Sequence, residues 1–416
     1  MLDERIAAVP TGSVLDLVDL SQIPAKLQSA RIAHMANEFQ TTLEFSKQLY
    51  RFVRFDLGPN RAGRFLLIIH HAVFDGYSML LMLQDLHDKV HALGKGEIPP
   101  APAESTSVRE WAAFLQRYSD SPEGIRESAY WTSLRWQDTR DLMDYPQGFL
   151  SNKSGKEAFR GTETEVSQYV GLEHSQFLLE RGRLGSFSIS DIVLTAMAHA
   201  IARVNGSKVV SFDLISNGRA PVFRGIDLSR TMGWLADNVP VLIELEDYSG
   251  VENKLAEFVK QFNAIPNSGV GFNALKYLSS DEKIRERMHA IPVPEILVNY
   301  IPDVSGAMSP HDKELKERPE QLQFRVAKES HGQTEPPADK GLHRASCATI
   351  SVVKGRLSIV WNFRDNVYQK DTVALAASYW KEEMEQIIAH FQPRPSVAAQ
   401  ARRIGRYLSS SLRKNG

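Results

Sequence analysis

Two adjacent histidines, His70 and His71, stand shortly before Asp75 and Gly76. Histidine is the side chain that gains and loses a proton near neutral pH, so it suits general acid–base work or the orientation of a reacting group. A carboxylate close by can hold a partner cation. A glycine lets backbone approach a substrate closely, or offers its N–H to a developing oxyanion. A lone histidine beside a tight turn is ordinarily a packing residue. A His-His pair with Asp-Gly at this offset is far more specific, and it marks the segment as a candidate site.

The elements around the pair decide what it can reach. Leu66 to Ile69 is a short apolar run and reads as a buried strand. Asp75-Gly76 is a turn signal, and Met79, Leu80, Leu83, Leu86 and Val90 follow at helical spacing. The histidines therefore sit where a strand gives way to a loop and helix. Strand alternation sends His70 and His71 to opposite faces, so only one of them enters a given cavity. Further on, Val108 to Tyr118 reads as a helix, Glu163 to Val170 alternates as a strand, and a helix from about Ser190 to Val204 takes Ser190 as its N-cap. The strand Lys208 to Ile215 comes next.

His70-His71-x-x-x-Asp75-Gly76 matches the HHxxxDG signature, and the chain resembles the condensation-domain superfamily of nonribosomal peptide synthetase condensation and epimerization domains and related acyltransferases. Other segments resemble that family in its order: residues 227–241, with Met232-Gly233-Trp234 inside; residues 294–300, ending in Asn299-Tyr300; and Gly355 to Trp361, which resembles the late strand before the last helix. Glu127-x-x-Tyr130-Trp131 resembles it too. The likeness runs from about Val14 to His390. It implies two chloramphenicol-acetyltransferase-like α/β lobes forming a V-shaped pseudo-dimer, with the active site between them. In domain terms, residues 1–165 form a first lobe carrying the signature, 166–395 a second, and 396–416 a basic tail or linker. Only 69 residues precede the signature, fewer than family members usually have. The opening strand and helix of the first lobe are therefore expected to be missing or strongly divergent.

By the same resemblance, His71 faces the reaction channel as general base or positioning partner, while His70 points into the lobe core. Asp75 is read as half of an ion pair that fixes the loop, with Arg219 of Asn217-Gly218-Arg219 as partner, and Gly76 as the close-approach residue. Asn299 and Tyr300 are candidates to hold a thioester carbonyl or a pantetheine amide, against a reading in which Tyr300 is core packing. Trp234 is read as core or channel wall. The reaction implied is amide, or less often ester, formation between a carrier-bound acyl or aminoacyl thioester and an amine or hydroxyl. Phosphopantetheine arrives on a partner carrier protein, and no cofactor or metal is bound by the chain itself. Adenylation domains are possible neighbours, and antibiotic biosynthesis is the implied setting. Two alternatives stay open: epimerization of a carrier-bound aminoacyl group, and a non-catalytic docking module. Residues 227–234, 269–278 and Asn299-Tyr300 lean towards the epimerization pattern. The family's carboxylate-bearing stretch, however, aligns with Ile215-Ser-Asn-Gly-Arg-Ala220, which has no glutamate. Loss of one of two proton carriers favours condensation.

Composition excludes little beyond this. With 49 Lys+Arg against 50 Asp+Glu, the charge exerts no global pull towards nucleic acid or membrane. The single Cys347 rules out an intramolecular disulfide and a multi-cysteine metal site, and is read as packing near the start of a strand. No secretory signal and no ~20-residue apolar span is evident, so a cytoplasmic monomer is expected. Residues 137–156 read as an exposed linker, 303–341 as a polar insertion, and the Arg-rich end as solvated chain.

Overall fold

The computed structural model describes residues 15–99, 101, 103–142, 162–246, 250–301, 327–329 and 346–393. Most of the linker expected at 137–156 and of the insertion at 303–341, together with the whole basic tail, lies outside these residues. The first part of the chain builds a three-stranded sheet in the order β1-β2-β3 from β1 (Leu15–Asp19), β2 (Tyr50–Asp56) and β3 (Arg64–Ile69). β1 and β2 run parallel, so a crossover is needed between them, and α1 (Ala25–Gln40) supplies it. Of the two outcomes expected above, absence is ruled out: a strand and a helix do stand ahead of the histidines. Ile32 of α1 packs with Leu20, Val53, Phe55 and Leu57 in a small core. The amide of Gln28, buried there, donates to the carbonyls of Leu20 and Ile23, which removes the cost of an unpaired polar group.

β3 is also a correction. Among the described residues it pairs only with β2, antiparallel, and so ends the sheet. Ile68 is its one buried residue and Phe65 is exposed, so the apolar run is an edge strand rather than a buried one. After the histidines, α2 (Gly76–Gly94) leads to α3 (Val108–Ser119) and α4 (Pro122–Ser133).

The second sheet has six strands in the order β4-β11-β10-β9-β7-β8. They are β4 (Glu163–Tyr169), β7 (Val209–Ser216), β8 (Asp237–Glu244), β9 (Ile296–Tyr300), β10 (Ser346–Val353) and β11 (Arg356–Arg364); a two-residue pair, β5 (Arg183–Leu184) and β6 (Phe187–Ser188), stands apart. β9 lies between β7 and β10 and is parallel to both, while the other neighbours are antiparallel. The accompanying helices are α5 (Leu172–Arg181), α6 (Ile189–Asn205), α7 (Val251–Asn263), α8 (Gly271–Tyr277), α9 (Glu282–His289) and α10 (Lys370–Phe391). α6 is apolar nearly all round from Ile192 to Ile201 and is buried to match. Its N-cap is Ser188, not Ser190: the Ser188 hydroxyl accepts from the Asp191 N–H, and Asp191 returns a bond to the Ser188 N–H. α10 lays Trp380, Met384 and Ile387 into the same core, beside Trp361 of β11. Trp131, Trp136 and Leu142 also pack there, although the sequence reading places them in the first lobe. Cys347 is the second residue of β10 and is only half-buried. No helix among the described residues is long and apolar enough to cross a membrane.

Glu295, just ahead of β9, is buried beside Asp141 and accepts from the Leu142 N–H. Burial, with the charge of Asp141 adding to it, raises its carboxyl to about 7. An acid whose pKa is higher folded than unfolded (about 4.3) favours folding most when protonated, so its contribution falls as pH rises from ~4 towards 7. Glu295→Gln keeps the acceptor for Leu142. It is expected to gain roughly 2–5 kcal/mol in urea unfolding at pH 8 and to change little at pH 4; an equal effect at both pH values would contradict a charge buried here.

Candidate active site

β3 stops at Ile69, and a one-turn 3-10 helix, His71–Val73, begins at once. Strand alternation therefore does not govern the histidines. His70 caps the turn: its Nδ1 accepts from the Ala72 N–H at 3.1 Å, and its half-buried ring meets Phe45 edge-on. That is a local structural duty rather than the lobe-core position expected from the sequence. His71 is exposed and lies against Trp234, with ring centroids 4.4 Å apart. Trp234 is itself about half exposed, and its indole N–H is fixed on the Ala236 carbonyl at 2.9 Å. It is a wall beside the histidine, not part of the core.

Asp75 is the N-cap of α2 and is buried. Its Oδ1 accepts from the Ser78 N–H at 2.8 Å and from Arg219 Nη2 at 3.1 Å. Its Oδ2 accepts from Arg219 Nη1 at 2.8 Å and from the N–H groups of Leu235 and Ala236 at 3.0 and 3.1 Å. The expected ion pair is therefore present and bidentate, and each side chain is only 2% exposed. The arginine is saturated in turn. It donates to the carbonyls of Asn217, Thr231 and Gly233 and lies over the Tyr77 ring. Burial alone would push the Asp75 carboxyl up, but Arg219, Ser78 and the Leu235 amide outweigh it and hold the group below the usual carboxylate range.

The geometry at Arg219 depends on its predecessors. β7 ends at Ser216, and the Asn217 side chain accepts from the Arg219 N–H to make a tight turn. Gly218 sits at φ +66°, where a Cβ would meet the Leu235 carbonyl oxygen at 1.8 Å. Only glycine lets these two backbones close, and Leu235 is one of the residues whose N–H reaches Asp75. The loop carrying Leu235 is pinned elsewhere as well. Leu228, Leu235 and Val270 pack on Trp111 of α3, Thr106 donates its N–H to the Asp227 carbonyl, and Arg230 pairs with Asp85 of α2.

Gly76 is exposed at the first turn of α2, and a Cβ there would touch nothing within 4 Å. The fold itself sets no demand for glycine at that position. Asn299 and Tyr300 end β9 and take no part in the Asp75 network: Asn299 pairs in register with Thr349, and Tyr300 packs against the large core. Ser78, the Leu235 and Ala236 amides and Asp237 were not singled out from sequence. Ser78 had only an indirect signal: Asp75 is a good N-cap by residue type, and the third residue on supplies the N–H that such a cap accepts. Asp237 had none beyond being a carboxylate opening an apolar strand. It lines a cleft of about 280 Å³ together with Trp111, Gly218 and Trp234, and it also lines a second cleft of about 450 Å³. Burial raises its carboxyl to about 6. Among the described residues no group of histidine, cysteine and acidic side chains is placed to hold a metal ion.

Asp75→Asn leaves the Arg219 guanidinium buried without its counter-charge and is expected to cost about 3–5 kcal/mol. Because the Asp75 carboxyl is held low, the pair's contribution should be intact above pH ~4 and fade only as pH falls below that. In a double-mutant cycle with Arg219→Gln, the double variant should lose at least ~1 kcal/mol less than the two single losses added. Simple additivity would argue against the pair as a stabilising unit.

Comparison with known proteins gives the chain its family. The family profile described as "Condensation domain" matches residues 13–396. A component of the linear gramicidin synthase of Brevibacillus parabrevis is 29% identical over 394 residues, covering 94% of this chain and 5% of that protein. Bacitracin synthase 3 of Bacillus licheniformis is 26% identical over 384 residues, 92% of this chain and 6% of that protein. The chain thus spans only a small fraction of these relatives. Among solved structures, the epimerization domain from the third module of tyrocidine synthetase B matches with TM-score 0.70 and 21% identity over 92% of this chain and 81% of that one. The first condensation domain of the calcium-dependent antibiotic synthetase matches with TM-score 0.53 and 17% identity over 91% and 79%. The two-lobed chloramphenicol-acetyltransferase-like fold is that of these structures, and the chain belongs to the condensation-domain family of the nonribosomal peptide synthetases.

Proposed function

We propose that the chain catalyses condensation-type acyl transfer, with His71 as the group that handles the proton. The observation that carries this reading is the position of His71: an exposed imidazole against Trp234, on a turn whose next residues are locked across the two sheets by Asp75 and Arg219. The substrate would be an acyl or aminoacyl thioester on the phosphopantetheine arm of a carrier protein. The acceptor amine nitrogen attacks the thioester carbonyl carbon, a C–N bond forms and the C–S bond breaks. His71 takes the proton lost by the nitrogen and passes it to the departing thiolate, which leaves as the thiol. Holding both reactants on tethers supplies much of the acceleration, so the protein has little to add beyond orientation and one base. Asp75 and Arg219 act as positioning residues, since every lone pair of the carboxylate faces a donor already in place.

Epimerization is the second reading, and one observation favours it: the overlay on an epimerization domain, at TM-score 0.70, exceeds that on the condensation domain, at 0.53. Chemistry weighs the other way, because the turn after β7, residues 215–220, brings no carboxylate and the removal and return of an α-proton from opposite faces calls for two carriers.

Two measurements decide. With a carrier-bound donor and a free amine acceptor, His71→Ala should lower turnover by roughly 10² to 10⁴ without moving the thermal unfolding midpoint. With an L-aminoacyl carrier protein in heavy water, the α-position should stay unlabelled; deuterium uptake above that of His71→Ala would transfer the chain to the isomerase class.

A further inference from the structure

The larger cleft is placed where a substrate side chain would go, if the reaction is the one proposed above. Asp237 opens β8 and lines both clefts. The smaller cleft is also lined by Trp234, whose ring lies against His71. A chain anchored near His71 and following Trp234 along the smaller cleft would meet Asp237, the residue that both clefts share. Pro240, Pro292, Val293 and Pro294 give that cleft stiff apolar walls, suited to a methylene stem. Its volume of about 450 Å³ is within the size range of small-molecule sites.

We propose that this cleft is a subsite for an aminoacyl side chain ending in an ammonium or guanidinium, with Asp237 as its anchor. The carboxylate is half used. Oδ1 takes the Asn238 N–H at 2.8 Å and the Asn273 amide at 2.6 Å, while Oδ2 accepts from no described residue. The cleft is also lined by Asp213, buried on β7, and by Lys276, whose ammonium is held over the Phe272 and Tyr277 rings. Two carboxylates against one ammonium leave an excess negative charge at the place where a single cation would enter. An anionic side chain meets repulsion there. A purely apolar one leaves a desolvated carboxylate unpaired, which is costly. The Asp237 carboxyl is raised in the same sense: burial, with the charge of Asp213 adding to it, disfavours the ionised form.

The test uses lysyl and norleucyl thioesters, which share a four-carbon stem and differ by the terminal ammonium, and reads binding by calorimetry, so it does not depend on turnover. The lysyl thioester should bind wild type at least ~10-fold more tightly at pH 7.5. Asp237→Asn should erase that preference, weakening lysyl binding and, with no carboxylate left to desolvate, not weakening norleucyl binding. On the unmodified protein the preference should shrink as pH falls through about 6, as the anchor is protonated, so the proposal stays open to refutation even if the variant folds poorly. Equal binding of the two thioesters to wild type, or a preference that survives in Asp237→Asn, would overturn it. A preference without acyl transfer would instead sink the reaction assigned to His71 and leave the subsite standing.

Discussion

A buried ion pair between two sheets is the constraint on which the rest of this structure turns. Asp75 belongs to the helix that follows the three-stranded sheet, and Arg219 follows a strand of the six-stranded one. Burying either charge alone would cost several kcal/mol, so the two parts of the chain are most stable when both groups meet. The pairing also fixes direction. A bidentate fork permits one relative orientation of carboxylate and guanidinium, and the remaining carboxylate lone pairs are aimed at Ser78, Leu235 and Ala236. Since Trp234 directly precedes those two amides in the chain, the contact that places Asp75 also places the wall beside His71. The gain is specificity of arrangement more than stability, because desolvation consumes much of what the charges return.

A second buried polar group does the same work away from the histidine. Glu127 of α4 accepts from the Trp131 indole at 3.0 Å and from the Asn267 amide at 3.0 Å, and it bonds the Tyr118 hydroxyl of α3. Burial, with Glu127 alongside, pushes that phenol well above its ordinary range, so it serves as a permanent donor. Asn267 and Ser268 adopt left-handed backbone angles, φ 48° and 52°. Strain of that kind persists where surrounding contacts over-determine it, and the Asn267 bonds to Tyr118 and Glu127 are such contacts. Gly271 lies so close to the Glu127 carboxylate that a Cβ would sit 2.4 Å from its oxygens. Helices α3 and α4 are thereby tied to the loop that leads into α8, and Trp111 on α3 backs the segment carrying Leu235.

The legibility of the site in the sequence followed the range of the interactions involved. His71, Asp75 and the Arg219 partnership were readable because a motif compresses three-dimensional constraints into fixed local offsets. The long helices were readable too, since apolar spacing over 17 residues in α6 leaves little choice. The errors lie where tertiary context decides. Leu66 to Ile69 is apolar enough for a central strand, yet nothing local says that β3 ends its sheet. Ser188 and Ser190 are equally good caps by residue type, and only Asp191 three positions after Ser188 separates them. Opposite faces for His70 and His71 presumed that the strand continued, whereas a 3-10 turn starts there. Asp237 carries no local signal at all: its role comes from sitting at the join of two clefts, which strands, helices and a loop distant in sequence together create.

This division of labour explains why so little of the machinery is chemically reactive. Of the groups near His71, Trp234 offers a surface, Asp75 and Arg219 are saturated by one another, and Ser78 is buried between them. None has a free proton or lone pair to exchange with a substrate. That arrangement suits a reaction whose partners are already activated as a thioester and brought in on tethers, because proximity then provides acceleration that other enzymes draw from several polarising side chains. It suits less well a reaction that breaks a C–H bond, for which a second proton carrier must face the first. Asp75 is spent on structure, whereas Asp237 shares the smaller cleft with Trp234 and keeps one oxygen that no described residue binds. The same saturation confines Asp75 and Arg219 to positioning, which is the part the acyl transfer proposed above asks of them.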